Sequence, residues 1–331
     1  MSILVTGCNS TLGYHLLNLL PHDGGDIVAV TSEPVPERLR LSHVTYVGSD
    51  LSDFKQTLSL MNTWRPAEVY HLVSQEFSLG MPGMKPAALY QFFTSGAYNL
   101  FESVRQSVPK ARVVLASSSE IYGGRKGAMD ILHHETDRFL PLSPYATAQA
   151  SCELIARQFT VAHGLDTVTA RPFGVTGPHQ PEKFVLSSTA SQIASIELND
   201  GETAIYTGNL DVSRDYIDVR DQARAFALLM KRGNTGETYN ICSGKVRTIR
   251  DLVQFLIQLS GCPIEIRIDP SLERALDIPL LAGSPEKFMA LTGWKPMISL
   301  EDSLRDLYAE IKTRGAPGPT VVATAPAPIK V

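Results

Sequence analysis

Cysteine is scarce: four in 331 residues, Cys8, Cys152, Cys242 and Cys262. None is close to another and no CxxC occurs, so neither a zinc site nor a disulfide framework has its spacing, and reduced core thiols are the expectation. Basic blocks are missing too. Lys and Arg total 30 against 34 Asp and Glu, and no clustered positive face offers itself to a nucleic acid. No apolar run reaches the roughly 18 residues that span a bilayer. The start "MSILVTG" enters a strand directly, without the charged segment and hydrophobic core of a secretory leader. The expected compartment is the cytoplasm, with no membrane and no nucleic acid among the partners. His71, His133, His134 and His179 lack ligand spacing, so no metal is implied. No internal repeat is visible.

What is present is a core. Hydrophobic residues make up 44% and charged residues 19%, and the length suits one large α/β domain with a smaller lobe, or two domains. Short β-branched apolar runs ("ILVTG", "DIVAVTS", "VTYVGSD", "EVYHLVS", "RVVLASSS", "DTVTARPF") alternate with segments of helical period. The longest of these cover 86–107 and 145–163, the second stopping at Gly164. That rhythm predicts a parallel sheet covered on both faces. After residue 173 the elements shorten, and "VRDQARAFALLMKRG", "TIRDLVQFLIQLSG" and "LEDSLRDLYAEIKTR" read as helices. Residues 1–173, with part of 210–245, form the expected large domain and 174–314 most of a second lobe. The Pro-, Ala- and Gly-rich stretch 315–331 has no face to bury and is expected to be disordered.

"VTGCNSTLG" follows the first strand and opens the first helix. A tight glycine turn with free N–H groups at a helix N-terminus suits a pyrophosphate, so Gly7, Asn9, Ser10, Thr11, Leu12 and Gly13 are candidate cofactor contacts. The second strand ends at Ser32, Glu33, Arg38 and Arg40. An acidic residue there favours a free ribose hydroxyl and Arg or Ser favours a 2′-phosphate, so NAD and NADP both stay open.

The turn, together with "SSSEIYGG" and "SPYATAQ", resembles the extended short-chain dehydrogenase/reductase superfamily. "RPFGVTGPHQ", "GNLDVSRDYIDVRD", "GETYNICSGK" and "TGWKPMISLEDSLRDL" come in the same order as in GDP-mannose 4,6-dehydratase and GDP-4-keto-6-deoxymannose reductase, and the similarity runs to about residue 312. The resemblance implies a Rossmann-type doubly wound parallel sheet with a smaller C-terminal α/β substrate lobe, and a homodimer or homotetramer. It implies an NAD- or NADP-dependent enzyme on a nucleotide sugar, GDP-linked, with 4,6-dehydration the leading reaction. Ser118 would hydrogen-bond the reacting hydroxyl and Tyr145 would be the acid/base. Ser119 and Glu120 would sit beside the sugar, Glu120 removing the acidic proton next to a C4 ketone. Asp50 and Leu51 would lie by the adenine, and Leu72, Gln75 and Pro172 along the cofactor. Gly174 would lie near the substrate, and Arg214 and Arg274 would grip the diphosphate, as guanidinium forks do.

Four positions depart from the pattern. Gln149 replaces a lysine, Phe93 and Gly174 replace asparagines, and Ser10 replaces a glycine whose exchange either displaces the backbone or offers the phosphates a hydroxyl. The lysine lowers the tyrosine pKa and binds the nicotinamide ribose, and Gln can do only the second. A tyrosine near its ordinary pKa of about 10 is a poor base at neutral pH but an adequate acid. Besides the dehydratase, a 4-keto reductase, an epimerase acting next to an existing ketone, and a degenerate nucleotide-sugar binding protein therefore remain as readings.

Overall fold

The computed structural model describes residues 2–21, 25–32, 34–73, 85–124, 132–198, 203–273 and 277–314. Gln75, Glu33, Arg274 and the segment 315–331 lie outside them. The first part of the chain runs β1 (Ile3–Thr6), α1 (Thr11–Leu19), β2 (Ile27–Thr31), β3 (Val44–Gly48), α2 (Phe54–Trp64), β4 (Glu68–His71), α3 (Pro86–Ser107) and β5 (Arg112–Ala116). After a short bridge strand β6 (Leu132–His133) come α4 (Pro144–His163), β7 (Asp166–Pro172) and β8 (Gly174–Thr176). The rest is α5 (Val185–Leu198), β9 (Ala204–Thr207), β10 (Ser213–Asp218), α6 (Val219–Arg232), β11 (Thr238–Ile241), β12 (Val246–Thr248), α7 (Ile249–Ser260), β13 (Glu265–Ile268), β14 (Leu280–Gly283), α8 (Glu286–Thr292) and α9 (Leu300–Arg314).

Seven parallel strands make the main sheet in the order β11-β7-β5-β4-β1-β2-β3. Both faces are covered, which is why these strands read as apolar runs rather than alternations. Leu12, Leu16 and Leu17 of α1 and Phe226 and Leu229 of α6 fill one face. Met61 of α2, Leu100 and Phe101 of α3 and Phe159 of α4 fill the other. The strand order reverses between β1 and β4, and the crevice beyond their carboxyl ends is where doubly wound sheets bind ligands. The smaller lobe has its own core, with Ile193 of α5, Val253 and Leu256 of α7 and Leu304 and Leu307 of α9. Two sheet fragments accompany it, one joining β12, β10, β14 and β6 and one joining β13 and β9.

Local signals fix the helices that matter. Ser143 caps α4 by accepting from Ala146 N–H, Pro144 follows at its first turn, and Gly164 ends it at φ 68°. Proline at the start and left-handed glycine at the end are the two favoured terminators. Asp53 caps α2 in the same way.

Candidate active site

Gly7 leaves β1 at φ +69°, and a Cβ on it would lie 2.8 Å from the carbonyl carbon and oxygen of Leu72, at the end of β4. A Cβ on Gly13 would lie 2.7 Å from the Gly7 carbonyl oxygen. The turn is thus built of backbone packed on backbone, a cradle only glycine permits. Ser10 fits without displacing it. Its hydroxyl donates to the Gly7 carbonyl at 2.7 Å and accepts from Gly13 N–H at 2.9 Å, capping α1. The hydroxyl is spent inside the turn, so of the two roles expected for Ser10 neither applies. Thr11 and Leu12 are buried in the first turn of α1.

A cleft opens at this point, and Gly7, Asn9, Ser32, Asp50 and Leu51 line it. Asp50 is exposed, two residues past the end of β3, and its carboxylate accepts from Ser52 N–H at 2.8 Å. The loop carrying it is tied to α3 by the buried Asn99, whose Nδ2 donates to the carbonyls of Leu51 and Ser52, both at 2.9 Å. Sequence reasoning missed that tie, and it missed Thr31, His71, Val73, Phe92 and Gly96 as cleft walls. Strand-end position is the signal that could have found His71. It is buried, its Nδ1 shares a 2.7 Å hydrogen bond with the Thr6 hydroxyl, and burial lowers its pKa to about 4. It stands in the cleft as a neutral ring.

Phe93 joins the cleft to the reacting side. It lines the cleft, and its ring meets that of Tyr145 edge to face, with centroids 5.7 Å apart. Tyr145 and Gln149 sit one turn apart on α4, 3% and 1% exposed, so spacing of four brings both to one buried face. The Gln149 Nε2 has no hydrogen-bond partner among the described residues. An orphaned donor this deep costs about 1–3 kcal/mol unless something accepts from it. With the glycine cradle, it is the second feature that fits a bound dinucleotide: the pyrophosphate on the α1 N-terminus, a ribose hydroxyl on Gln149.

Ser118 ends the loop after β5 and caps a one-turn 3-10 segment, Ser119–Tyr122. Its oxygen accepts from Glu120 N–H at 3.1 Å, which leaves the Ser118 proton to donate elsewhere. Ser119 is buried and Glu120 half-buried. Tyr122 stays neutral, since burial raises its phenol pKa against the pull of the Arg171 charge. The predicted substrate residues are less closely gathered. Pro172 ends β7 and Gly174 begins β8, where a Cβ would lie 2.7 Å from the Asp215 carbonyl and 2.9 Å from the Tyr216 ring. The glycine is therefore required by the register that pairs Gly174 with Tyr216, and no asparagine side chain can start from that backbone. Arg214 on β10 donates to the carbonyls of Ser213 and Ile278 at 2.8 and 2.6 Å. Among the described residues no group of His, Cys, Asp and Glu is arranged to hold a metal, and no helix is long and apolar enough to cross a membrane.

A doubly wound sheet, a glycine cradle at its switch point, and a serine and a tyrosine on a later loop and helix define an extended short-chain dehydrogenase/reductase. Residues 4–307 match the model of the GDP-mannose 4,6 dehydratase family, and the chain belongs to that family. The GDP-6-deoxy-D-mannose reductase of Pseudomonas aeruginosa is 30% identical over 94% of this chain and 97% of the relative. Among solved structures, RMD from Pseudomonas aeruginosa complexed with NADPH shares 29% identity and a TM-score of 0.79, over 95% of this chain and 99% of that one. The UDP-glucose 4-epimerase of Thermus thermophilus in complex with NAD shares 26% identity and a TM-score of 0.82, over 96% of this chain and 100% of that one. The expected fold, family and NAD(P) chemistry are borne out at that level.

Proposed function

We propose that the protein is a reductase that converts a GDP-linked 4-keto-6-deoxyhexose to the alcohol, with NADPH as reductant. One observation carries the choice of direction: the residue one turn after the buried Tyr145 is an amide, not an ammonium. A lysine at that place stabilises tyrosinate, the base that alcohol oxidation needs. Gln149 carries no charge to stabilise a tyrosinate, and reduction consumes the protonated phenol. The nicotinamide, when bound, supplies the hydride to C4. Tyr145 gives its proton to the carbonyl oxygen, so ketone, hydride and proton sum to the alcohol. Ser118 donates a second hydrogen bond to the same oxygen and stabilises the charge that develops there. Gln149 donates its free N–H to the ribose. Support for the substrate comes from the reductase relative and for NADPH from the solved neighbour that holds it.

In this reading residues 174–314 supply most of the substrate lobe, with Arg214 and Arg274 toward the diphosphate and Gly174 at the sugar. The protein works in the cytoplasm as a homodimer or homotetramer, and the exposed Tyr98, Leu154 and Val161 on α3 and α4 give an apolar face for pairing. Light scattering on the purified protein tests that last point, with a monomer counting against it.

The decisive assay supplies a GDP-4-keto-6-deoxyhexose and NADPH, with mass spectrometry of the sugar. A gain of two hydrogens with NADPH consumed is the expected result, and an unchanged ketone overturns the reading. Gln149→Lys should raise the reverse, oxidative rate about 10-fold near neutral pH and lower its pH optimum, as one to two pKa units off the tyrosine imply. Glu120 beside Ser118 favours a second reading, 4,6-dehydration of GDP-mannose. Loss of one water from GDP-mannose in the same spectrometer would establish it.

A further inference from the structure

We infer that Arg171 is a positioning residue for Tyr145 and Ser118, acting through Glu153 and Tyr122; the inference rests on the roles given to those two residues above. Tyr145, Gln149 and Glu153 follow at intervals of four on α4 and share its buried face. Glu153 is held by Arg171 of β7. Arg171 Nε donates to its Oε1 and Oε2 at 3.0 and 3.2 Å, and Nη2 donates to Oε2 at 2.7 Å. From the same guanidinium Nη1 donates to the Tyr122 hydroxyl at 2.7 Å and to the Glu135 carbonyl at 3.0 Å. Tyr122 closes the turn that Ser118 caps, and its hydroxyl donates onward to Asn240 Oδ1 at 2.7 Å. One planar cation thus joins the helix that carries the tyrosine to the turn that carries the serine.

The cation is only 4% exposed. Burial acts to lower its pKa, and the Glu153 carboxylate and the Tyr122 hydroxyl more than offset that, so it stays charged. A buried ion pair of this kind is weak as a source of stability, because an apolar cluster of equal volume commonly does as well. What it adds is direction. The fork fixes the rotation of α4 about its own axis relative to the serine turn. The tyrosine hydroxyl stands well off the helix axis, so a small rotation displaces it. A displacement of about 1 Å can cost on the order of 100-fold in rate. The aromatic faces of Tyr122 and Phe139, with the guanidinium carbon 5.0 and 4.9 Å from their centroids, complete the seat.

The experiment compares wild type, Arg171→Lys and Tyr122→Phe, each with its melting temperature recorded and assayed at least 10 °C or so below it. Arg171→Lys should lower kcat for 4-keto reduction about 10- to 100-fold while KM for both substrates stays within about threefold. It should also raise the isotope effect from NADPH deuterated at the transferred hydrogen, as hydride transfer becomes limiting. Tyr122→Phe, which keeps the ring and cuts the link, should fall between. A second readout needs no turnover: the ¹³Cζ resonance of Tyr145, assigned by its loss in Tyr145→Phe, should move in both variants. Folded variants with unchanged kcat, isotope effect and resonance overturn the inference. If wild type itself reduces no 4-keto sugar, the functional reading fails, and the resonance alone decides for or against the positioning role.

Discussion

At the glycine end of the cleft the decisive contacts run backbone to backbone: Gly7 against Leu72, Gly13 against Gly7. At the tyrosine end they run side chain to side chain: Phe93 on Tyr145, Arg171 on Glu153 and Tyr122. The two ends answer substitution differently. Ser10 entered the backbone-built end and was absorbed, its hydroxyl turned into a helix cap. Gln149 entered the side-chain-built end, and among the described residues its Nε2 has no partner. The glycine turn is thus buffered by main-chain geometry, whereas the face around Tyr145 rests on single side chains and changes with one residue.

Four substitutions and conditions test that contrast. The largest effect is expected at the tyrosine end. Tyr145→Phe should lower kcat about 10³-fold, within the range for loss of a general acid, while NADPH affinity by fluorescence titration stays within about threefold. Equal losses in both would mean that the two ends are not separable. Gly7→Ala should do the reverse at the other end. It brings a Cβ to 2.8 Å from Leu72 at a φ of +69°, and both a backbone clash and a left-handed alanine weigh against it. Cofactor affinity should drop about 100-fold, or roughly 3 kcal/mol; calorimetry showing wild-type affinity would refute the cradle.

Acid should act on the glycine end through His71. Its folded pKa of about 4 lies below the ordinary 6.5, so the unfolded chain takes up a proton first as pH falls. The stability in question is complete above 6.5 and is lost on descent toward 4, by up to about 3 kcal/mol. His71→Gln should flatten the melting-temperature profile across that window, and an equally steep profile would assign the loss to other groups. The smallest effect is expected at Ser10. Ser10→Ala removes a cap worth about 1 kcal/mol and should lower the melting temperature by only about 1–2 °C in a chain of this length. A drop several times larger would show that the serine is no bystander in the turn.

The sheet and its site were legible where the signal was local. Strand ends, the glycine turn and the Gly164 stop of α4 each declare themselves within a few residues; helical period put Tyr145 and Gln149 on one face, and the family resemblance gave them their roles. What stayed hidden joins distant positions. Thr6 and His71 are 65 residues apart, and Tyr122 and Asn240 are 118 apart. No window along the chain holds such pairs, so Arg171 read as the end of a strand and the start of a motif, with no partner attached. Gly174 was legible as a departure but not as a requirement, because the reason lies in the Tyr216 register across two strands.

The edge strand β11 has a consequence for synthesis. It completes the main sheet beside β7, yet it spans Thr238–Ile241 and leaves the ribosome long after Pro172. At about 5–20 residues per second the nascent sheet waits several seconds with the flank of β7 open, while much of the second lobe is made. A ribosome-bound chain stalled near residue 200 should accordingly be a client for holding chaperones, and one stalled beyond α9 should not.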